Sequence, residues 1–361
     1  MRARTIGGRR PRHPILALAL ALALPLLTVG QPAQAAPHAD GDSIRQVGTT
    51  VSAEAWAAGR QRYGARVTAD AAIEAYWTPE RMRNARPVEE SPSYKAAARR
   101  FAQSGGTSSA APTNRSAPVD VPPVAGLMGT PGMSTQVINP NLGSNHPTAR
   151  SNGKVFFNMD GGSWVCSGAV INSVGFNTVW TAGHCIHGGP GSSLATNWSF
   201  VPAYDDDLAD PRPHGTWTAR ELWTWSSWID SSNWEADMAV AIMNTRNGVH
   251  IVNQFGGHGF RTQQGFTVGI NNFGYPSGAP FDGGNLLRCS GNSTQSGARI
   301  RINCDLTAGA SGGPWLINWD GNWGYLNGVN STLNSYAAPT LWWSPYFDDT
   351  ASDLYNFTAT H

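Results

Sequence analysis

Three residues in this chain have the types, order and local surroundings needed to break an acyl bond together. Ser311 lies in Gly309-Ala310-Ser311-Gly312-Gly313-Pro314, and His184 lies in Thr181-Ala182-Gly183-His184-Cys185. Asp237 falls between them in Glu235-Ala236-Asp237-Met238-Ala239-Val240. A serine hydroxyl alone is a weak nucleophile. It needs a base of near-neutral pKa within hydrogen-bond reach, and the imidazole base needs a carboxylate to fix its tautomer. The glycines around Ser311 allow a tight turn and close approach of a substrate, with the N–H groups of Gly309 and Ser311 as oxyanion donors. Asp237 is preferred over Asp230 and the Asp205–Asp210 cluster because a small residue precedes it and an apolar run follows it. A carboxylate at the head of a buried strand can orient a buried imidazole.

Other chemistries fit less well. A Gly-x-Ser-x-Gly turn also occurs as the nucleophile elbow of α/β-hydrolases, but that fold needs its acid and histidine after the serine. The terminal His361 is the single histidine that follows Ser311. His187 is near His184, yet no further ligands stand at metal-binding spacing and no His-Glu-x-x-His occurs, so no metal and no cofactor are expected. His250 and His258 read as loop residues. The Asp205–Asp210 cluster lacks EF-hand spacing and reads as a solvated acidic loop, with calcium left open.

The elements that must position these residues occupy the last part of the chain. Arg2 to Arg12 is basic, Ile15 to Val29 is apolar, and Ala33-Gln34-Ala35 is a small-x-small site, so residues 1–35 read as a secretory signal peptide. The apolar run is short for a spanning helix, which needs about 20 residues. Residues 36–102 carry helix-like stretches at Ala53–Tyr63, Ala69–Tyr76, Arg81–Ala85 and Ser91–Arg100. Residues 103–135, rich in Gly, Ser, Pro, Ala and Thr, have the composition of a linker. Residues 136–361 hold short apolar runs separated by Gly- and Asn-containing turns, with a short helix at Ala351–Phe357. This pattern predicts an all-β sandwich or barrel. The strand candidates are Lys154–Met159, Ser163–Ile171, Thr178–Thr181, Trp198–Ala203, Trp217–Trp225, Met238–Met243, Gly265–Asn271, Ala298–Cys304, Pro314–Asn318 and Tyr325–Val329.

Charge and cysteine content narrow the class. From residue 136 onward there are 9 Lys or Arg and 15 Asp or Glu, a net of 9 − 15 = −6. An acidic domain of this kind argues against nucleic acid as a partner. Four cysteines in a secreted chain suggest two disulfides. Three connectivities are open, of which Cys166–Cys185 with Cys289–Cys304 joins near neighbours and is preferred. Thirteen of the 15 tryptophans lie in this last region. They read as packing residues rather than as a sugar-stacking surface.

With these residues in place, the chain resembles the chymotrypsin-like serine peptidases, bacterial secreted branch, which includes the V8-like glutamyl endopeptidases. The motifs that carry the resemblance are Cys166-Ser167-Gly168, Thr181-Ala182-Gly183-His184-Cys185, Asp237-Met238-Ala239 and Gly309-Ala310-Ser311-Gly312-Gly313-Pro314. They span roughly residues 150 to 357. The resemblance implies two six-stranded antiparallel Greek-key barrels with the catalytic residues in the cleft between them. It also implies that residues 36–102 are a propeptide. The expected activity is that of a secreted, monomeric serine endopeptidase acting on proteins or peptides, without a membrane association once the signal is cut. The alternatives are a catalytically silent binding protein of the same fold and a secreted carbohydrate-binding protein.

Some positions depart from the family pattern. Ala310 replaces the aspartate that pairs with a new N-terminus in animal members, so activation through that ion pair is not available. Leu306 and Asn330 stand where glutamate-specific members resemble one another in having Thr and His, so two carboxylate-binding groups are missing. Asp305 is at the offset of the acid that selects Lys or Arg. With Ser331 these positions form the candidate substrate pocket, and the P1 preference stays open, with basic residues slightly ahead of acidic.

Overall fold

The computed structural model describes Met1 and residues 42–104, 115–127, 142–335 and 338–361. The signal-peptide reading falls outside the described residues.

The N-terminal segment begins with strand β1 (Ile44–Val47), followed by helices α1 (Ala53–Tyr63), α2 (Ala69–Tyr76) and α3 (Pro79–Asn84). Strand β2 (Arg86–Pro87), a 3-10 turn at Val88–Glu90 and helix α4 (Pro92–Gln103) complete it. Each helix starts where a hydroxyl replaces a missing intrahelical acceptor for a first-turn N–H. Ser52 accepts from Ala55 N–H at 3.1 Å, Thr68 from Ala71 at 3.3 Å, Thr78 from Arg81 at 3.2 Å and Ser91 from Tyr94 at 3.1 Å. Pro79 and Pro92 add a pre-set φ at the first helical positions.

Two short strands, β3 (Asp120–Val121) and β4 (Val124–Ala125), lie within the segment expected to be a linker. After helix α5 (Pro147–Ser151) come β5 (Asn152–Met159), β6 (Gly162–Ile171), β7 (Thr178–Thr181), β8 (Thr196–Pro202) and β9 (Trp217–Trp225). Helix α6 (Ser226–Ser231) precedes β10 (Ala239–Met243). Strands β5 to β10 close into a six-stranded antiparallel barrel in the order β10-β7-β6-β5-β8-β9. Closure leaves few open edges, and Val155, Val170, Val179, Phe200 and Leu222, which share one face of the strands, are buried with no exposure.

The N-terminal segment uses the edges that remain. β8 covers β9 only at Trp217–Thr218, and β1 continues along the same strand from Leu222 to Trp225. β2 runs parallel to β6 at Trp164–Val165.

The second half follows helix α7 (Ile251–Phe255). It contains β11 (Gly256–Gly257), β12 (Gly259–Arg261), β13 (Gly269–Gly274), β14 (Leu287–Asn292), β15 (Thr294–Ser296) and β16 (Arg299–Asn303). It ends with β17 (Pro314–Ile317), β18 (Tyr325–Val329), β19 (Thr332–Leu333), β20 (Leu341–Pro345) and helix α8 (Asp349–Thr358). The expected second barrel takes the form of a six-stranded sheet, β14-β13-β17-β18-β12-β3, and a four-stranded sheet, β15-β16-β20-β19. Ile300, Ile302, Trp315 and Trp342 pack between them.

The 103–135 segment is therefore partly built into the fold. β3 forms the edge of the second six-stranded sheet, pairing Val121 with Phe260, and β4 pairs with β11. The N–H groups of Arg115 and Ser116 donate to the buried Asp349 carboxylate at 2.6 and 3.0 Å.

Candidate active site

β7 ends at Thr181, and the chain turns through a 3-10 turn, Gly183–Cys185, that carries His184. The Cys166–Cys185 disulfide ties that turn to β6, with Cα atoms 6.1 Å apart. A second disulfide joins Cys289 to Cys304, so the near-neighbour pairing is the one formed. Gly183 leaves little room for a side chain, since a Cβ would stand 3.0 Å from both the Asp237 carboxylate and the Trp228 ring.

Asp237 stands just before β10 and is wholly buried. Its Oδ1 accepts from the His184 backbone N–H at 2.8 Å, and its Oδ2 lies 2.8 Å from His184 Nδ1. The Ser331 hydroxyl donates to Oδ2 at 2.6 Å. Two bonds from one carboxylate to backbone and ring of the same histidine fix the imidazole plane. They also place the proton on Nδ1, which leaves Nε2 free to accept.

Ser311 sits in a loop whose shape depends on glycine. Gly309 has φ +95° and Gly312 φ +76°, values that L side chains rarely adopt. Ser167, in the Cys166-Ser167-Gly168 motif, holds the loop from the first barrel. Its N–H donates to Ser311 O at 2.6 Å and its hydroxyl to Gly309 O at 3.1 Å. The nucleophile candidate on one barrel is thus anchored to the strand that the disulfide joins to the histidine turn.

A fourth residue enters from the N-terminal segment, and sequence reasoning missed it. Glu89, in the Val88–Glu90 turn, is wholly buried. Both its carboxylate oxygens lie 3.0 Å from the Gly309 N–H, and Ser311 Oγ donates to Oε1 at 2.7 Å. Burial pushes the Glu89 carboxyl up from its ordinary value, against the opposing pull of nearby His184 and of the Ser311 and Gly309 donors. His184 Nε2 is buried without a hydrogen-bond partner. Tyr94 of α4 places its ring against the His184 ring at 4.9 Å, and its hydroxyl donates to Ser331 O. Nothing local in Val88-Glu89-Glu90-Ser91 marks Glu89, because its partners are more than two hundred residues away.

The candidate pocket residues divide. Asp305 is exposed, next to Cys304. Leu306 is buried in the apolar cluster of the second half, its carbonyl accepting from Trp342 Nε1 at 2.6 Å. The Asn330 amide is committed: its Nδ2 donates to Asn272 and Ala310, and its Oδ1 accepts from Asn272 and Trp315. The Ser331 hydroxyl donates to Asp237 Oδ2 at 2.6 Å.

His258, read as a loop residue, is buried instead. Its Nε2 lies 2.9 Å from Ser151 Oγ, its Nδ1 accepts from Gly324 N–H, and burial drives it down to about 3. In the acidic cluster, Asp206 pairs with Arg83 and Asp210 with Arg212, both at 2.7 Å. The cysteine sulfurs beside His184 are joined in a disulfide and do not act as thiolate ligands. The tryptophans are largely core: Trp164, Trp180, Trp225, Trp228, Trp234, Trp315 and Trp342 are almost completely buried.

No family model and no curated protein match this chain. Solved structures do. A thermostable serine protease, AL20, from an extremophilic microorganism is 35% identical over 59% of this chain and 99% of its own, with a TM-score of 0.56. The protease Anisep from Arthrobacter nicotinovorans is 36% identical over 59% of this chain and 97% of its own, with a TM-score of 0.55.

Proposed function

The chain belongs to the serine proteases of chymotrypsin-like fold, and on that premise we propose that it is a secreted endopeptidase, made as a proenzyme, that works through Ser311, His184 and Asp237. The observation that carries this reading is the buried Asp237 carboxylate, which holds both the backbone and the ring of His184 and is itself fixed by Ser331.

In the active form, Ser311 Oγ attacks the scissile carbonyl and His184 Nε2 takes the hydroxyl proton. Asp237 keeps Nδ1–H in place and stabilises the imidazolium. The Gly309 and Ser311 N–H groups receive the negative charge that develops on the carbonyl oxygen. His184 returns the proton to the leaving amine, and water then releases the acyl group by the same route in reverse. The two disulfides suit an oxidising compartment, which supports export. Leu306 and the committed Asn330 amide offer no free charge to a substrate side chain. The pocket we infer selects neither acidic nor basic residues through them.

Fluorophosphonate labelling of the processed chain tests the assignment. Label on Ser311 is the expected result, and Ser311→Ala should remove it and lower peptide turnover by about 10⁴-fold or more. Label elsewhere, or activity kept in Ser311→Ala, would overturn it. A silent binding protein would neither label nor turn over.

A further inference from the structure

A serine hydroxyl has one proton to give. In this structure it goes to Glu89 Oε1, and the nitrogen that should receive it, His184 Nε2, has no partner. The Gly309 N–H, one of the two proposed oxyanion donors, is taken by the same carboxylate. We propose that Glu89 is an inhibitory ligand built into the chain: its carboxylate fills the oxyanion site and draws the Ser311 hydroxyl off His184 until residues 42–104 are removed. This rests on the reading of Ser311 as the nucleophile.

A carboxylate suits the task. It offers acceptor oxygens to the Gly309 N–H and the Ser311 hydroxyl together, where the transition state would place its own oxyanion, at the cost of burying a charge. Yet its carbon resists attack, since addition would place a second charge on it and the departing group would have to be oxide. The site therefore holds Glu89 without consuming it.

The backbone around Glu89 is equally unsuited to cleavage. Val88–Glu90 is a closed 3-10 turn in which Val88 O accepts from Ser91 N–H at 2.8 Å, so no extended peptide bond faces Ser311. The turn is clamped at both ends. β2 is paired to β6 just before it, and α4 lies over the histidine just after it. At the far end of α4, Arg100 donates to Ser232 at 3.0 Å and the Phe101 ring covers the Arg299 guanidinium. A group this deeply buried stays in place only because the surrounding contacts hold it there.

The test uses the full, uncut chain and the rate at which Ser311 reacts with a fluorophosphonate. If Glu89 keeps the competent state to a minor population, the wild-type rate is reduced by that fraction. Glu89→Gln, which preserves shape but turns one of the two acceptor oxygens facing the Gly309 N–H into a donor, and Glu89→Ala should each label roughly tenfold faster or more while the chain is intact. Glu90→Gln, at the exposed neighbour, should label at the wild-type rate. Spontaneous shortening of Glu89→Ala, absent when Ser311→Ala is added, supports the same conclusion. Glu89→Gln that melts like the wild type and labels no faster would overturn it. If wild type cut by an added protease and freed of residues 42–104 by dilution and gel filtration fails to label as well, the fault lies with the nucleophile assignment instead of with Glu89.

Discussion

Two stretches precede the first barrel, and they attach to the body in different ways. Residues 44–104 lie over the first barrel and reach Ser311 through the Glu89 side chain. Residues 115–127 are part of the second half, with β3 forming a sheet edge and Asp349 taking two of their N–H groups. The first is expected to be a partly helical propeptide, and the second falls in the segment expected to be a linker. Their contacts separate a cover from a structural strand. The cover also edges a sheet, through β1 on β9 and β2 on β6, but it adds contacts at the cleft through Glu89 and Tyr94. The second stretch has its contacts within the second half, so its loss would expose the β12 edge and the Asp349 carboxylate.

Two substitutions would sharpen or break that contrast. Trp77 is wholly buried, donates to Asn197 O at 2.8 Å and packs on Phe156. Trp77→Ala should weaken docking of the cover by about 3–5 kcal/mol, the usual cost for such a core truncation. The readout is faster labelling of Ser311 in the uncut chain with little change in the melting of the body. Asp349→Asn should act in the opposite place, lowering the urea stability of the body by about 1–3 kcal/mol and leaving labelling unchanged. If both variants lowered body stability alike, the distinction would fail.

Next in size is an opposition in pH. Burial raises Glu89, so holding it in the cleft as the anion carries a cost that grows with pH, and the cover should hold best in acid and loosen as pH rises through its docked value. His258 is depressed from 6.5 to about 3, so the body should keep its full stability above 6.5 and lose it as pH falls towards 3. The slope from that one group is up to about 1.4 kcal/mol per pH unit, and His258→Gln should flatten it. Denaturation and labelling followed across pH 4–8 would show the two trends; parallel trends would count against one of the assignments. The smallest effect concerns Asp305. Because it is exposed, Asp305→Asn should change kcat/KM on Lys or Arg peptides by less than about twofold, as removing a solvated charge usually does. A large loss would restore it as a selector.

What could be read from the sequence was what is encoded locally. The segments holding Ser311, His184 and Asp237 each carry their own turn or strand signal. β7, β9 and β18, with helices α1 and α2, fall where periodicity puts them. β13 lies a few residues later than expected because Gln263 and Gly265 take positive φ and delay the strand. β14 is rich in Gly, Ser and Arg and is held by pairing with β13 and by the Cys289 disulfide, neither of which shows as alternation. β20, a run of aromatic residues closed by Pro345, was missed for the same reason: its pairing with β16 defines it. Glu89, the role of Ser331 and the burial of His258 all depend on contacts between distant residues.

If residues 42–104 are the inhibitor proposed above, the covalent link between Gln103 and Arg115 sets how they act before and after a cut. An inhibitor on the same chain as its target acts at an effective concentration set by the tether, on the order of millimolar for a short linker. Cleavage within that stretch leaves every contact of Glu89 in place and changes only the bookkeeping of encounters, from one molecule to two. Freshly processed protein at high concentration would remain largely inhibited, and the same sample diluted would gain activity per molecule. The cut would then start a delay whose length depends on how fast the protein disperses from where it was made, giving the producing cell an interval of protection that no further residue need encode.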